Sequence, residues 1–156
     1  MSVDIHPATI SDRAGLGELL GRIENFTADE VQCAIELIDA GIAGSPDYFV
    51  RVAGIAGRVV GYICFGPTPM TEGTYDLYWI ASDPQVRGQG VGAALVRAME
   101  AELRERGGRV IRVETSATEA YGATRGFYAA LEYVEECRFR DFYKEGEDLV
   151  ILSRRV

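Results

Sequence analysis

The sequence has little that could bind a metal or cross-link a fold. Its three cysteines, Cys33, Cys64 and Cys137, are odd in number, far apart and without a C-x-x-C spacing. That excludes a disulfide framework and a zinc site, and it points to a reducing compartment. The single histidine, His6, has no cysteine or histidine near it and reads as structural. Basic residues are also scarce: 16 Lys and Arg stand against 24 Asp and Glu, a formal net charge of -8. Nucleic-acid binding needs the opposite balance. No apolar run reaches the ~18 residues of a membrane span. The N-terminus lacks the basic start and apolar core of a secretory leader. No Gly-Lys-Ser/Thr occurs anywhere, which removes the P-loop. These absences lead to the expectation of a cytoplasmic protein with no metal, no nucleic acid and no membrane.

What is present suits one domain over residues 1–156, since a domain takes roughly 100–200 residues. At 47% hydrophobic the chain can bury an ordinary core. Its acidic balance favours the approach of a cationic substrate such as an amine.

The stretch that organises the chain is Asp83 to Gly92, D-P-Q-V-R-G-Q-G-V-G. A strand-like run, Tyr75 to Ala81, precedes it, and a helix-like run, Val91 to Arg106, follows. Gly88, Gly90 and Gly92 alternate with Gln89 and Val91. Such a loop turns tightly and brings its amides close to a ligand. A helix opening there adds unpaired N–H groups and the positive end of its dipole. Together they make an anion site, most often for phosphate.

Around this stretch the pattern alternates between strands and helices. Val3 to Ile5 reads as a strand. Ser11 or Asp12 caps a helix carrying Leu16, Leu19, Leu20 and Ile23. Thr27 and Glu30 form a capping box ahead of a helix with Val31, Ile35, Ile38 and Ile42 on one face. Tyr48 to Ala53 and Arg58 to Phe65 read as strands around a Gly54–Gly57 turn. Tyr75 to Ala81 alternates, with Asp76, Tyr78 and Ile80 on one face and Leu77, Trp79 and Ala81 on the other. After the long helix come a strand at Val110 to Val113 and a helix at Tyr121 to Leu131. An extended segment at Tyr133 to Tyr143 and a last strand at Leu149 to Leu152 complete the chain. The strand–helix–strand crossover makes Tyr75–Ala81 and Val110–Val113 parallel neighbours. The fold class is therefore mixed α/β, antiparallel at both ends with one parallel pair between.

Two ligand loops fit the glycine stretch. The dinucleotide fingerprint G-x-G-x-x-[GA] matches Gly88, Gly90 and Ala93, with Glu114 about 20 residues on as a ribose-binding acid. On that reading the protein is an NAD(P)-binding oxidoreductase. The second is the coenzyme A loop [QR]-x-x-G-x-[GA], which Arg87, Gly90 and Gly92 fit without a gap. The preceding YDLYWIASDP and the later TRGFYAALEY and DFYKEGEDLVIL extend that match, and the chain resembles the GNAT superfamily of N-acetyltransferases. Phe127-Tyr128 fits the family's A-x-x-[LF]-Y-x-x-x-G-F pattern. Thr124, Glu132 and Tyr133 stand where the pattern has Ala, Gly and Phe. Tyr121 stands where many members carry an asparagine that contacts the cofactor.

The resemblance implies a mostly antiparallel sheet with one splayed parallel strand pair and about four flanking helices. It implies that acetyl-CoA lays its pyrophosphate on the amides of Gly88, Gln89, Gly90, Val91, Gly92 and Ala93, near Arg87. The pantetheine arm would pair with the main chain at Ile80 and Ala81. An amine acceptor would attack the thioester directly. Tyr128 is the implied acid for the departing thiolate. Glu114 and Asp76 are the two candidate bases, with Glu24 and Glu72 as loop-borne alternatives and a water wire as another. A non-catalytic acyl-CoA sensor on the same fold stays open, as does a homodimer.

Overall fold

In the computed structural model, which describes residues 2–156, the apolar periodicities become two layers of helix on a central sheet. The strands are β1 (Asp4–Pro7), β2 (Phe49–Ile55), β3 (Arg58–Pro67), β4 (Thr74–Ser82), β5 (Val110–Ser116), β6 (Val134–Lys144) and β7 (Glu147–Arg155). They form one seven-stranded sheet in the order β1-β2-β3-β4-β5-β7-β6. Every neighbouring pair is antiparallel except β4 with β5. The helices are α1 (Arg13–Gly21), α2 (Ala28–Ile42), α3 (Val91–Glu105) and α4 (Gly122–Ala130).

Each helix starts and buries for local reasons. The capping box opens α2, where Thr27 Oγ1 accepts from the Glu30 amide at 3.2 Å and Glu30 accepts from the Thr27 amide at 3.3 Å. Helix α1 starts after Asp12, one of the two expected caps. A short 3-10 turn over Ile10–Asp12, closed by a box between Thr9 and Asp12, precedes it. Helix α3 buries Val91, Leu95, Val96, Met99 and Leu103 along the expected stripe. Each such side chain contributes about 1.5–3 kcal/mol when fully buried.

The two faces of the sheet carry separate cores. On one, α3 and α4 pack on Ile63, Phe65, Leu77, Ile111, Val113, Val150 and Leu152. On the other, α1 and α2 pack on Val50, Val52, Tyr62, Cys64 and Ala81. No residue of β5, β6 or β7 belongs to that second core. The α1/α2 face is therefore open over the last three strands.

Strict alternation along β4 does not hold. Cys64 pairs with Trp79 and Phe65 with Leu77, so Tyr78 is an extra residue on β4. This bulge turns both Tyr78 and Trp79 toward the α1/α2 face and returns Ile80 to the face of Leu77. Helix α4 also departs from the expected stripe: Ala130 is exposed, and Tyr128 is the buried residue of the helix.

His6 ties the start of the chain together. Its Nδ1 lies 2.8 Å from Asp4 and its Nε2 3.2 Å from Asp12. Burial opposes its protonation, but the two carboxylates outweigh that and raise its pKa above 6.5. A raised histidine pKa stabilises the fold fully below the unfolded value, and the contribution is lost as pH rises through the folded value. We expect the melting temperature to decline as pH rises above about 6.5, by about 1–3 °C from this source. Differential scanning calorimetry of His6→Ala should show that decline removed. An unchanged slope would show that the pair contributes nothing.

Candidate active site

Strands β4 and β5 run together for only part of their length. Their pairing joins Thr74 to Val110 through Leu77 to Val113 and stops there. β4 continues to Ser82 and β5 to Ser116. Beyond the fork the two main chains part, and the amides and carbonyls that line the gap lose their ladder partners. Interior backbone stays in that state only where something else can bond to it. Ile80 and Ala81 lie on the parted stretch of β4, on opposite faces.

Charge fastens the closed end of the fork. Arg112 Nε donates to Asp76 Oδ1 at 2.6 Å, and Thr68 Oγ1 donates to Asp76 Oδ2 at 2.8 Å. Asp76 is buried, with both oxygens engaged. Its bond raises the Arg112 pKa above the ordinary value, against the effect of burial. Glu114 is two residues further along β5, so it projects from the same face as Arg112. It lies 3.8 Å from Arg112 Nη1, beyond hydrogen-bond reach, and its side chain is 46% exposed. The two candidate bases therefore differ in kind, one tied into the fold and one free at the opening. Glu72 precedes β4, at the end away from the gap, and its carbonyl accepts from Arg109 Nε. Glu24 sits exposed on the α1–α2 turn. Neither joins the cluster.

The parted end of β4 runs straight into the glycine loop. Asp83 is fully buried and N-caps a 3-10 turn, Pro84–Val86, by accepting from the Gln85 amide at 2.9 Å. Arg22 and Arg58 reach the same carboxylate at 2.8 and 2.9 Å. Burial opposes its ionisation, but the Gln85 amide and the two guanidiniums hold the carboxyl below the usual range. Gly90 takes φ +79 as the N-cap of α3, and Gly88 takes φ +80. The first helical bond runs from Ala94 N to Gly90 O, so the amides of Val91, Gly92 and Ala93 have no helical acceptor. Gly92 is needed for another reason: a Cβ there would come within 3.2 Å of the Phe127 ring. Arg87 and Gln89 are exposed beside these amides.

On the α3/α4 side, Tyr128 is 2% exposed. Its ring lies between Phe127 at 5.1 Å and Tyr133 at 5.4 Å, both edge-on. Burial pushes its phenol pKa up, so it stays protonated. Of the eight tyrosines, only Tyr133 bonds its hydroxyl to another described residue, Glu100 at 2.9 Å. The Tyr128 hydroxyl is thus uncommitted. The loop between β5 and α4 is fixed by Arg125 Nη1, which donates to the carbonyls of Ser116 and Thr118, both at 2.7 Å.

On the open face two tyrosines flank the fork. Tyr78 packs on Tyr48 with ring centroids 5.4 Å apart. Burial, then the charge of Asp76, pushes the Tyr78 phenol up to about 12. Tyr121 is exposed at the N-cap of α4, just after β5. Among the described residues no three His, Cys, Asp or Glu side chains are placed to hold a metal. No helix is long and apolar enough to cross a membrane.

Ile80, Ala81 and the Arg87–Ala93 loop follow the parted end of β4, Glu114 follows the last paired residue of β5, Asp76 lies at the paired end, and Tyr128 is buried in the α3/α4 core. Sequence reasoning missed Arg112, although its two-residue spacing from Glu114 on a strand was there to be read. It also missed Asp83, Arg58 and Arg22, which are far apart in the chain. The mostly antiparallel sheet is not the doubly wound parallel sheet that a dinucleotide fingerprint serves.

Residues 18–133 match the Acetyltransferase (GNAT) family. A comparison with curated proteins finds no match. Among solved structures, a Desulfovibrio desulfuricans protein assigned to the GNAT acetyltransferases is 33% identical, covering 99% of both chains with a TM-score of 0.93. The ribosomal-protein-S18-alanine N-acetyltransferase of Escherichia coli is 22% identical over 99% of this chain and 94% of its own, with a TM-score of 0.79. The PaiA N-acetyltransferase of Thermoplasma acidophilum, solved with coenzyme A, is 16% identical over 100% of both chains, with a TM-score of 0.74.

Two substitutions test the loop. Gly90→Val forces a β-branched residue into the left-handed region, and Gly92→Val drives Cβ atoms into Phe127. Each is expected to lower coenzyme A affinity at least ~10-fold, about 1.4 kcal/mol, while the chain stays folded. Titration calorimetry showing undiminished affinity in both would take the loop out of the binding site.

Proposed function

Because the chain belongs to the GNAT acetyltransferase family, and is thus an acyltransferase, we propose that residues 1–156 move an acetyl group from acetyl-CoA to a primary amine by direct attack. GNAT neighbours bind coenzyme A, and the gap supplies what that ligand needs. The pyrophosphate takes the amides of the Gly88–Ala93 loop, of which those of Val91, Gly92 and Ala93 have no helical acceptor, close to Arg87 and Gln89. The pantetheine arm takes the ladder positions that β4 leaves open at Ile80 and Ala81.

The observation that supports the reading is that Glu114 and Tyr128 lie on opposite faces of the sheet. Glu114 belongs to the open face, because its neighbour Val113 packs with α3. Tyr128 belongs to the α3/α4 core. An amine arriving on the open face meets Glu114. The sulfur, entering from the loop side, meets Tyr128. The amine is mostly protonated in water, with a pKa of ~10.4. Glu114, directly or through one water, removes that proton. The nitrogen then attacks the thioester carbon, the C–S bond breaks so that the thiolate leaves, and the nitrogen releases its second proton to water as the amide forms. The conjugate thiol has a pKa of ~8.5, so the thiolate is basic enough to take the Tyr128 proton. Asp76 holds Arg112 and the fork and takes no part in proton transfer.

Glu114→Gln should lower kcat/KM by ~10²–10⁴ near neutral pH and less at high pH, where the amine deprotonates unaided. If Asp76→Asn shows that pattern and Glu114→Gln does not, the base is Asp76. Tyr128→Phe should cut kcat at least ~10²-fold while leaving acetyl-CoA affinity and melting temperature unchanged. Wild-type turnover in that variant would leave water as the acid. Acetyl-CoA binding without thiol release, for every amine class offered, would make the protein a sensor instead.

A further inference from the structure

The open face of the sheet is not featureless beyond Glu114. Glu114 pairs across to Ile151 on β7, and Ser116 to Leu149. Ile151 pairs on to Cys137 and Leu149 to Phe139 on the edge strand β6. Val150 and Leu152 belong to the α3/α4 core, so Leu149, Ile151, Cys137 and Phe139 share the face of Glu114.

All eleven residues of β6 are exposed. They include Phe139 at 61%, Phe142 at 48% and Tyr143 at 47%. These three rings stack edge to face, at 5.4 and 5.0 Å, into a ridge. Soluble monomers seldom leave such a patch bare without a use for it. The ridge does not end in solvent. Through Leu149 and Ser116, Phe139 joins it to the strand of Glu114, and burial, then the charge of Glu114, raises the Tyr143 phenol above its ordinary value. Its hairpin is locked to the site: Ser116 Oγ donates to Glu147 at 3.1 Å, and the Ala117 amide donates to Asp148 O at 3.0 Å. Asp141 takes φ +53, with its carboxylate accepting from the Gly146 amide at 2.8 Å, which bends the strand tip and stacks Phe142 on Phe139.

We propose that the acceptor is the N-terminal amine of an extended polypeptide whose first side chains are large and apolar, laid from Glu114 across Ile151 onto the Phe139–Phe142–Tyr143 ridge. The proposal rests on the acetyl-transfer reading above. Three features favour a polypeptide over a small amine. The span from β5 to β6 is two strand spacings, about 10 Å, or about three extended residues. The ridge is open along its length, as a continuing chain requires. The hydroxyls of Tyr48, Tyr78, Tyr121 and Tyr143 are free of protein partners and can bond main-chain amides and carbonyls, which a hydrocarbon amine does not have. The acidic groups at the opening, Glu114 and Glu147, complement the terminal ammonium.

The transfer balances. The terminal nitrogen forms an amide bond to the acetyl carbon, and the C–S bond breaks. The ammonium gives up two protons, the first through Glu114 before attack and the second to water as the amide forms; the thiolate takes the Tyr128 proton, and a solvent proton restores the phenol.

The test is steady-state thiol release with the full chain and a set of C-terminally amidated peptides. One series begins Phe-Leu-Phe and grows from one residue to six; a second begins Ser-Gly-Ser. Phenethylamine, spermidine and an aminoglycoside are the small-amine arms. We expect kcat/KM to rise at least ~10-fold from one residue to three in the apolar series and then to level off. We expect the Ser-Gly-Ser series and the small amines to fall at least ~10-fold below that plateau. Phe139→Ser and Phe142→Ser should each raise KM for the tripeptide ~10-fold and leave kcat in place. Melting temperature and acetyl-CoA titration on the same variants separate this from misfolding. Small amines that match or exceed the peptides, or Phe variants with unchanged KM, would overturn the proposal while leaving acetyl transfer intact. A dimer abolished by Phe139→Ser would also overturn it, by assigning the ridge to a second copy. Acetyl-CoA that binds but is never consumed with any amine would remove the transfer reading itself.

Discussion

The parting of β4 from β5 after Leu77 and Val113 is the constraint on which the site depends. A sheet interior gains by keeping its ladder closed, since an unmade buried hydrogen bond costs about 1–3 kcal/mol. Several specific features hold the gap open. The extra residue at Tyr78 rotates β4 just past the fork, so its partner cannot follow. Asp76 and Arg112 fasten the paired end and keep the opening from spreading down the strands. Arg125 holds the β5–α4 loop by two carbonyls and keeps the end of β5 from swinging back. The open stretch is therefore preorganised, and a ligand main chain that fills it recovers bonds the fold has left unmade.

Asp83 serves the other end of the same gap. It sits where β4 becomes the glycine loop, and three donors converge on it. Arg22 comes from the end of α1 and Arg58 from the start of β3, so one carboxylate joins the loop, the helical wall and the sheet. Its removal would leave two guanidiniums facing a space with no counter-charge, and loss of one partner of a buried pair is strongly destabilising. The Arg22 Nε, buried without a partner, is the one imperfection in this hub. The wall that bears Arg22 is also held by Phe26 against Trp79, at 5.4 Å, on the bulge itself. Loop position and groove wall are thus set by neighbouring residues of one strand.

What the sequence disclosed and what it hid follow a physical division. The glycine loop was legible because its cause is local: positive φ at Gly88 and Gly90, and a helix starting at once. The α3 stripe and the α2 capping box are local in the same sense. The bulge at Tyr78 left no such mark, because it arises from register against β3, and a clean two-residue alternation is compatible with either outcome. The engagement of Asp76 was hidden for a related reason. A carboxylate in an apolar strand shows that a partner is needed, but the partner lies 36 residues on, at Arg112. Nothing in the local sequence marked Tyr128 as the buried residue of its helix. In the structure the neighbouring ring of Tyr133 covers it, and Ala130 turns outward.

That neighbouring ring belongs to a substitution with its own logic. The family pattern ends α4 with glycine and phenylalanine, and this chain has Glu132 and Tyr133. Glu132 takes φ +70, a conformation that a residue with a Cβ adopts at a cost of roughly 1 kcal/mol. Arg154 offsets it by donating to the Leu131 carbonyl at 2.6 Å and lying 3.4 Å from the Glu132 carboxylate. The added hydroxyl of Tyr133 could not be left unbonded in the core, and Glu100 accepts it. Glu100 is itself fully buried and needs a cation, which Arg97 supplies at 2.7 Å. One departure from glycine-phenylalanine therefore carries three charged residues with it. Together they fix the end of α4 by directed bonds. The ring of Tyr128 rests on this braced end, so its position is set by polar contacts on the far side of Tyr133.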